Sequence, residues 1–439
     1  MLDPEAEAMP PDQRAELQSG RLRRLVDRLI AVGGLQAGRL AQAGVTSGND
    51  VGLTDLAKLP TTVKRDLWDS YPFGLLAVPR SEVVVVHGSS GTSGRPTLVS
   101  YSRADLALWS RMCARALAAA GAGPGSLIHN AYGYGLFTGG LGIHQGAIEL
   151  GATVVPVSGG MTARQVTLIA DLRPDVLTCT PSYAIRLGEA LADAGLTRDR
   201  GLSLKVGVFG AEPWTQEMRI RINELLGIRA LDIYGLSEVI GPGVACECLV
   251  AADGLHVNED HFLVEALDPV TGDPVADGTA GELTFTTLTK EAMPLLRYRS
   301  GDIAALTRGT CACGRTLVRM SKVTGRKDDM LVVRGVNVYP SEVERVLLAH
   351  PAVAPDYLLV VDEREGGLEL IACCERAAAG GGTDEELAAG LEGALRETVG
   401  VRVDVTVVPP GSVPRAEVGK AVRVRRWAAG DPPVPGLAR

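Results

Sequence analysis

Between residues 126 and 238 the chain repeats one local pattern: a short apolar run of β-forming residues, a break rich in glycine, serine or proline, and a stretch that reads as helix. The runs are Ser126-Leu-Ile-His-Asn-Ala131, Ala152-Thr-Val-Val-Pro-Val157, Asp175-Val-Leu-Thr-Cys179, Lys205-Val-Gly-Val-Phe209 and Leu231-Asp-Ile-Tyr234. Strands that alternate with helices are joined by crossovers, so they lie parallel in one sheet with helices on its faces. Ligands on such sheets gather beyond the carboxyl ends of the strands, and each break falls at such an end. The fold class is α/β, with the parallel-sheet part in a large N-terminal domain over residues 1–327.

The flanking segments read differently. Residues 10–45 carry Leu17, Leu22, Leu25, Leu29 and Ile30 at helical spacing. Ser102 and Asp105 form a capping-box pattern before a helix from Arg103 to about Ala120. Residues 244–325 alternate in short runs separated by turns, which predicts a small β-rich part. From Asp329 onward the order is strand, helix from Ser341, strands at Tyr357–Val361 and Leu368–Ala372, helix Asp384–Val399 and a strand at Val401–Val407. This is an α+β unit large enough to be a smaller second domain, residues 328–439. The last ten residues, with three prolines, read as a loose tail. A net charge of −8 argues against a nucleic-acid surface. No run approaches the roughly 20 apolar residues that cross a bilayer, and the first 20 residues lack a signal-peptide pattern. The expected location is the cytoplasm.

The most distinctive loop precedes the repeats: His87-Gly-Ser-Ser-Gly-Thr-Ser-Gly-Arg-Pro-Thr97, between the run Val83–Val86 and the alternating Thr97-Leu-Val-Ser-Tyr101. Glycines let backbone N–H groups converge on an anion, hydroxyls donate to phosphate oxygens and Arg95 neutralises charge, so the loop reads as a polyphosphate clamp. Its spacing is not G-x-x-x-x-G-K-[ST], and Pro96 before a β-like run predicts strand–loop–strand. Alone, such a loop is equally well an ordinary Gly/Ser-rich turn.

Further motifs follow in order: Tyr234-Gly-Leu-Ser-Glu238, Arg297-Tyr-Arg-Ser-Gly-Asp302, Gly325-Arg-Lys-Asp-Asp-Met330 with Gly335-Val-Asn-Val-Tyr-Pro-Ser-Glu342, and Gly419-Lys420. Together with the loop they resemble the adenylate-forming superfamily of acyl-CoA synthetases, adenylation domains and luciferases. Ala131–Gly142, Gly210-Ala-Glu-Pro213 and Leu288-Thr-Lys-Glu-Ala-Met-Pro-Leu295 resemble its phenylacetate-CoA ligase branch in particular.

The resemblance implies an ATP-, magnesium- and coenzyme A-dependent ligase that converts an aromatic carboxylic acid to an acyl-AMP and then to an aryl-CoA thioester. Ser89, Ser90, Gly91, Thr92, Ser93, Gly94 and Arg95 would grip the ATP phosphates, with Thr92 near magnesium and Glu238 as its hard oxygen ligand. Tyr234 would flank the adenine, with Asp232 and Gly235 beside it and Gly210, Ala211, Glu212 and Pro213 on the other side. Asp302 would accept the ribose hydroxyls, and Arg326 would contact ribose and phosphate. Lys420 would bridge carboxylate and α-phosphate, and Asp328 would be the hinge on which the second domain rotates, bringing Gly335–Tyr339 toward the thiol. Tyr132, Tyr134, Gly135, Phe137, Gly142 and Gln145 would line the acid pocket.

Where the branch usually has His-Tyr-Gly-Ala-Glu the chain reads His144-Gln-Gly-Ala-Ile148, which makes a substituted benzoate at least as good an expectation as phenylacetate. Ala31-Val-Gly-Gly-Leu35 replaces the usual Pro-Phe-Tyr segment, a change that bears on a homodimer contact or on the acceptor channel. The same motifs would also serve an adenylating enzyme that passes its acyl group to a carrier protein or amine, or a non-catalytic nucleotide-binding homologue. Cys248, His256, Cys311 and Cys313 supply three thiols and an imidazole, enough for a structural zinc, with Cys246 and His261 in reserve. Cys373 and Cys374 lie in an apolar run and read as core residues.

Overall fold

The computed structural model describes residues 1–89, 96–327, 331–333, 336–364, 368–377, 381–415 and 422–437, with the side chains of 332, 336 and 337 left aside. The chain opens with helices α1 (Pro4–Glu7), α2 (Pro11–Val32), α3 (Gly34–Gln42) and α4 (Lys64–Asp69). The single helix expected over 10–45 is broken at Gly33 and Gly34, whose φ of 78° and 75° cannot continue a right-handed helix. Leu22, Leu25, Val26 and Leu29 form the buried stripe of α2. Strands β1 (Val85–Ser89) and β2 (Thr97–Tyr101) pair antiparallel, Ser89 opposite Thr97, so the expected strand–loop–strand stands; its tip, Ser90–Arg95, lies outside the described residues. Helix α5 (Arg103–Ala119) starts on the predicted capping box, Asp105 N–H donating to Ser102 Oγ at 3.1 Å and Ser102 N–H to Asp105 Oδ2 at 2.9 Å.

The repeated pattern folds as read: β3 (Leu127–Asn130), α6 (Gly139–Glu149), β4 (Thr153–Pro156), α7 (Thr162–Leu172), β5 (Val176–Cys179), α8 (Pro181–Asp193), β6 (Val206–Gly210), α9 (Gln216–Leu226) and β7 (Arg229–Leu236). The strands are parallel in the order β4-β3-β5-β6-β7. From β3 the chain turns one way to β4 and the other way to β5. The carboxyl ends of β3 and β5 therefore flank a switch point, where Thr178 Oγ1 donates to Asn130 Oδ1 at 2.9 Å.

The β-rich stretch contains β8 (Gly241–Cys246), β9 (Leu255–Val257), β10 (Phe262–Leu267), β11 (Ala280–Thr287), β12 (Tyr298–Thr307), β13 (Arg319–Met320) and β14 (Gly325–Arg326). It is continuous with the parallel sheet, because β8 pairs antiparallel with β7 and carries the path on through β9, β13 and β12. A core of Tyr101, Trp109, Val239, Ile240, Phe285 and Tyr298 lies beneath the junction.

After β15 (Leu331–Val333), β16 (Val336–Val338) and α10 (Pro340–Ala349), a separate four-stranded sheet forms from β17 (Val353–Asp362), β18 (Glu369–Arg376), β19 (Asp404–Val408) and β20 (Val424–Trp427), with α11 (Asp384–Val399) packed on it. It has its own core, including Val343, Leu347, Leu359, Leu391 and Val403. Cys373 and Cys374 are buried as expected. The expected loose tail is corrected: Val434 and Leu437 are buried against Val408 and Trp427, which anchors the proline-rich end to this sheet. Leu348 of α10 reaches the cluster under α8 and α9 that holds Trp214 and Met218, so the two sheets' bodies touch near the Gly210–Pro213 loop.

Candidate active site

The turn after β7 carries Glu238, which is 5% exposed. Ser89 Oγ, at the end of β1, donates to Glu238 Oε1 at 3.0 Å, which joins the Gly/Ser-rich loop to this carboxylate. Beneath the turn, Tyr101 OH donates to the carbonyls of Ser237 and Ile240 at 3.3 and 3.1 Å, and Lys290 Nζ donates to the Glu238 carbonyl at 3.0 Å. Lys64, the first residue of α4, lies 3.9 Å from Glu238 Oε1. On the other side, Leu136 O accepts from Gly88 N–H at 2.8 Å and faces His87 Nδ1 at 3.0 Å. Burial lowers the pKa of His87, so near neutral pH its ring is uncharged and donates Nδ1–H to that carbonyl.

The remaining residues expected to contact the nucleotide gather at the same edge. Tyr234 donates its hydroxyl to Asp302 Oδ2 at 2.6 Å, and Arg326 donates to Asp302 Oδ1 at 2.7 Å. The second contact follows from register, since Asp302 in β12 faces Arg326 in β14 across the ladder. Tyr234 stacks on Phe285 with centroids 5.9 Å apart, and burial followed by the Asp302 charge holds its hydroxyl well above the usual phenol range. Two glycines here are required by close approach: a Cβ on Gly235 would lie 1.9 Å from Gly241 O, and one on Gly210 2.1 Å from Ile233 O. Ala211 sits at φ 74°, a strained conformation for a residue with a Cβ, and Glu212 Oε1 accepts from Ser182 N–H at 2.7 Å. Asp232 accompanies them on β7; burial, reinforced by nearby Glu247, pushes its carboxyl up to about 7 against the pull of Lys322 and Arg219.

The acid-pocket residues divide. Asn130 Nδ2 donates to Tyr134 OH at 2.8 Å, and Tyr134 OH lies 3.2 Å from His144 Nδ1. Asn130, Tyr134 and His144 thus form a polar line at the switch point. Burial pushes this phenol up to about 12, so it remains a donor. Tyr132 is buried in the core beside Ile143 and Val208. Gly135 and Phe137 are exposed, Phe137 at 52%. Gly142 lies in the α5–α6 contact, where an added Cβ would come within 2.4 Å of Trp109 Cζ2. Gln145 Oε1 accepts from Ser110 Oγ of α5 at 3.2 Å.

Cys248, His256, Cys311 and Cys313 bring their ligand atoms within 4.8 Å of one another. Cys248 Sγ is 3.9 Å from Cys311 Sγ, and Cys313 Sγ is 3.7 Å from His256 Nε2. A tetrahedral zinc with bonds of ~2.3 Å to sulfur requires ligand separations of about 3.8 Å, which these two pairs match. Burial, then the charges of Arg315 and Arg319, lowers His256 to about 3 and leaves it neutral, as a ligand must be. Cys246 and His261 are not members of this group; His261 contacts Thr289 Oγ1 and Asp260 instead.

Thr92 and Arg95 in the loop tip, Asp328 and Lys420 lie outside the described residues. Sequence reasoning missed Lys64, Lys290, Asn130 and His144 as members of this edge. A lysine inside the apolar stretch Leu288–Leu295, and an asparagine closing an apolar strand, were the available signals.

Comparison with known proteins gives the family. Residues 64–288 match the family described as AMP-binding enzyme, and residues 335–426 match the AMP-binding enzyme C-terminal domain. The chain is 50% identical to the phenylacetate-coenzyme A ligase of Thermus thermophilus over 97% of its own length and 99% of that protein's. Among solved structures, 2-hydroxyisobutyryl-CoA ligase in its postadenylation state superposes with a TM-score of 0.89 at 30% identity, covering 97% of this chain and 92% of that one. The same ligase in its thioesterification state, covering 96% and 92% at 30% identity, gives 0.72, so this structure follows the postadenylation arrangement. The chain belongs to the phenylacetate-CoA ligase branch of the adenylate-forming superfamily.

Proposed function

We propose that this AMP-forming acid–CoA ligase activates an aromatic carboxylic acid at the carboxyl edge of β3, β5, β6 and β7. A carboxylate oxygen of the acid attacks the α-phosphorus of ATP and pyrophosphate leaves; the thiol of coenzyme A then attacks the acyl carbon and AMP leaves. The observation that supports this best is the junction at Leu136. Its carbonyl binds the phosphate hairpin at His87 and Gly88, while two residues earlier Tyr134 belongs to the Asn130–His144 line, so acid and triphosphate meet over a few residues.

In this reading Ser89 and the loop tip hold the β- and γ-phosphates, and Glu238 with Thr92 would hold magnesium, which supplies charge neutralisation when bound. Asp302 uses the lone pairs left by Tyr234 and Arg326 for the ribose hydroxyls. Lys420 neutralises the charge developing between carboxylate and α-phosphate, then leaves when the second domain rotates about Asp328. The polar Tyr134–His144 pair, together with the sequence departures at Gln145 and Ile148, favours an amino- or hydroxybenzoate over an unsubstituted arylacetate. We further assign zinc to Cys248, His256, Cys311 and Cys313 as a structural ion, since four protein ligands leave no position for substrate. No helix of the described residues is long and apolar enough to cross a membrane.

A panel of aryl and alkyl carboxylates, scored for pyrophosphate release and for CoA thioester by mass, tests the assignment. Release with arylacetates alone would overturn the preference for substituted benzoates. Release without CoA-dependent product would overturn the ligase step.

A further inference from the structure

The loop that carries two of the proposed zinc ligands also holds the beginning of the chain. Glu7 is 2% exposed, and its Oε2 accepts from Arg315 Nε at 2.6 Å, with a second guanidinium nitrogen also 2.6 Å away. Its other oxygen accepts the N–H groups of Leu2 and Asp3, each at 2.8 Å. Arg315 then turns its remaining nitrogen to Cys313 Sγ at 3.4 Å. One buried guanidinium thus spans from a metal-site sulfur to the carboxylate that organises the N-terminal turn. Thr316, the next residue, accepts from Arg14 and binds the carbonyls of Glu7 and Met9. Leu2 packs on the apolar cluster that contains Cys248 and Cys311.

A metal-bound thiolate keeps its negative charge and is a strong acceptor for a guanidinium. Zinc with three thiolates and an imidazole carries a net charge of about −1 by its ligand set. Arg315 offsets that charge, and Glu7 holds Arg315 in the one orientation that reaches both. Without the ion the guanidinium loses its anionic acceptor, and the buried Glu7–Arg315 pair loses the partner that fixes its geometry. Such outer contacts orient ligands and tune the ion they hold.

We propose that zinc at Cys248, His256, Cys311 and Cys313 fastens residues 1–9 to the large sheet through the Cys313–Arg315–Glu7 chain, with Arg315 and Glu7 as positioning residues for the metal site. The inference rests on the zinc assignment above. Asp3 extends the connection, because it pairs with Arg115 of α5, which in turn binds Asp260. Docking of the first residues therefore also reaches α5, whose Arg115 holds the β9–β10 turn.

The test uses the full chain as purified. Elemental analysis of the wild type comes first, and one zinc per chain is expected; a protein that neither carries nor takes up zinc overturns the metal assignment and this inference together. With zinc present, release to the dye 4-(2-pyridylazo)resorcinol is timed for wild type, Glu7→Gln and Arg315→Met. Both variants are expected to release zinc about 10-fold faster or more. Hydrogen exchange of peptides from residues 1–9 is expected to accelerate when wild type is stripped with chelator, while peptides from α11 stay unchanged. Wild-type release rates in both variants, or residues 1–9 equally protected with and without zinc, would overturn the inference and leave the zinc assignment standing. Should Arg315→Met fail to fold, Glu7→Gln and a chain lacking residues 1–9 give the same comparison.

Discussion

Lys290→Met separates what a buried ammonium costs the fold from what it gives the site. Lys290 is 2% exposed, with Nζ on the Glu238 carbonyl at 3.0 Å and 5.1 Å from the centre of the Tyr101 ring. Burial outweighs the attraction of Asp105 and Glu238 and lowers the ammonium from its ordinary 10.5 to about 8. Between those values the unfolded chain keeps a proton that the folded protein has released, so stability rises with pH across that window and the burial cost is fully present below it. At ~1.4 kcal/mol per pH unit the window from about 8 to 10.5 amounts to ~3 kcal/mol. Methionine removes this cost at pH 7 and leaves the Glu238 carbonyl without its donor, a loss of about 1–2 kcal/mol. The variant is therefore expected to be more stable than wild type by roughly 1–2 kcal/mol at pH 7 and less stable near pH 10. Urea unfolding followed by tryptophan fluorescence in magnesium-free buffer at both pH values reads this directly. A variant destabilised equally at both pH values would refute the account. Activity should move the other way: with the turn beneath Glu238 loosened, the magnesium concentration for half-maximal pyrophosphate release rises.

Other perturbations follow from the same geometry. Asp302→Asn removes a charged acceptor from Tyr234 and Arg326 and from the ribose it is proposed to hold, worth about 1.5–3 kcal/mol, so KM for ATP should rise roughly 10- to 100-fold in pyrophosphate-release assays with a smaller change in kcat. Gly142→Ala forces a methyl to within 2.4 Å of the fully buried Trp109 ring and should cost about 1–3 kcal/mol; an unchanged thermal midpoint would contradict the α5–α6 packing. From the role proposed for Lys420, and not from geometry, Lys420→Ala should slow adenylation about 100-fold or more, as loss of one preorganised charge at a phosphoryl group does, while thioester formation from a prepared acyl-adenylate proceeds.

The sequence by itself determined the parallel sheet, the start of α5 and the sheet edge at which the glycine-rich breaks gather. Each follows from local information: apolar runs of strand length, breaks at their carboxyl ends, and a serine three residues before an aspartate. The order of its motifs also marked Gly210 and Gly235, glycines that answer to backbone clashes any chain with this turn must avoid. The tertiary structure alone decided which distant residues meet. Asp302 pairs with Arg326 because β14 lies in register beside β12, a relation between strands that no local pattern encodes. Lys64 and Lys290 reach Glu238 from segments far apart in the chain, and in sequence each is one more lysine. The proline-rich end is anchored because the C-terminal sheet leaves a space that Val434 and Leu437 fill, whereas its composition alone suggested a tail. Short-range preference fixes the elements; long-range packing and register fix the contacts among them, and the proposed site is built from those contacts.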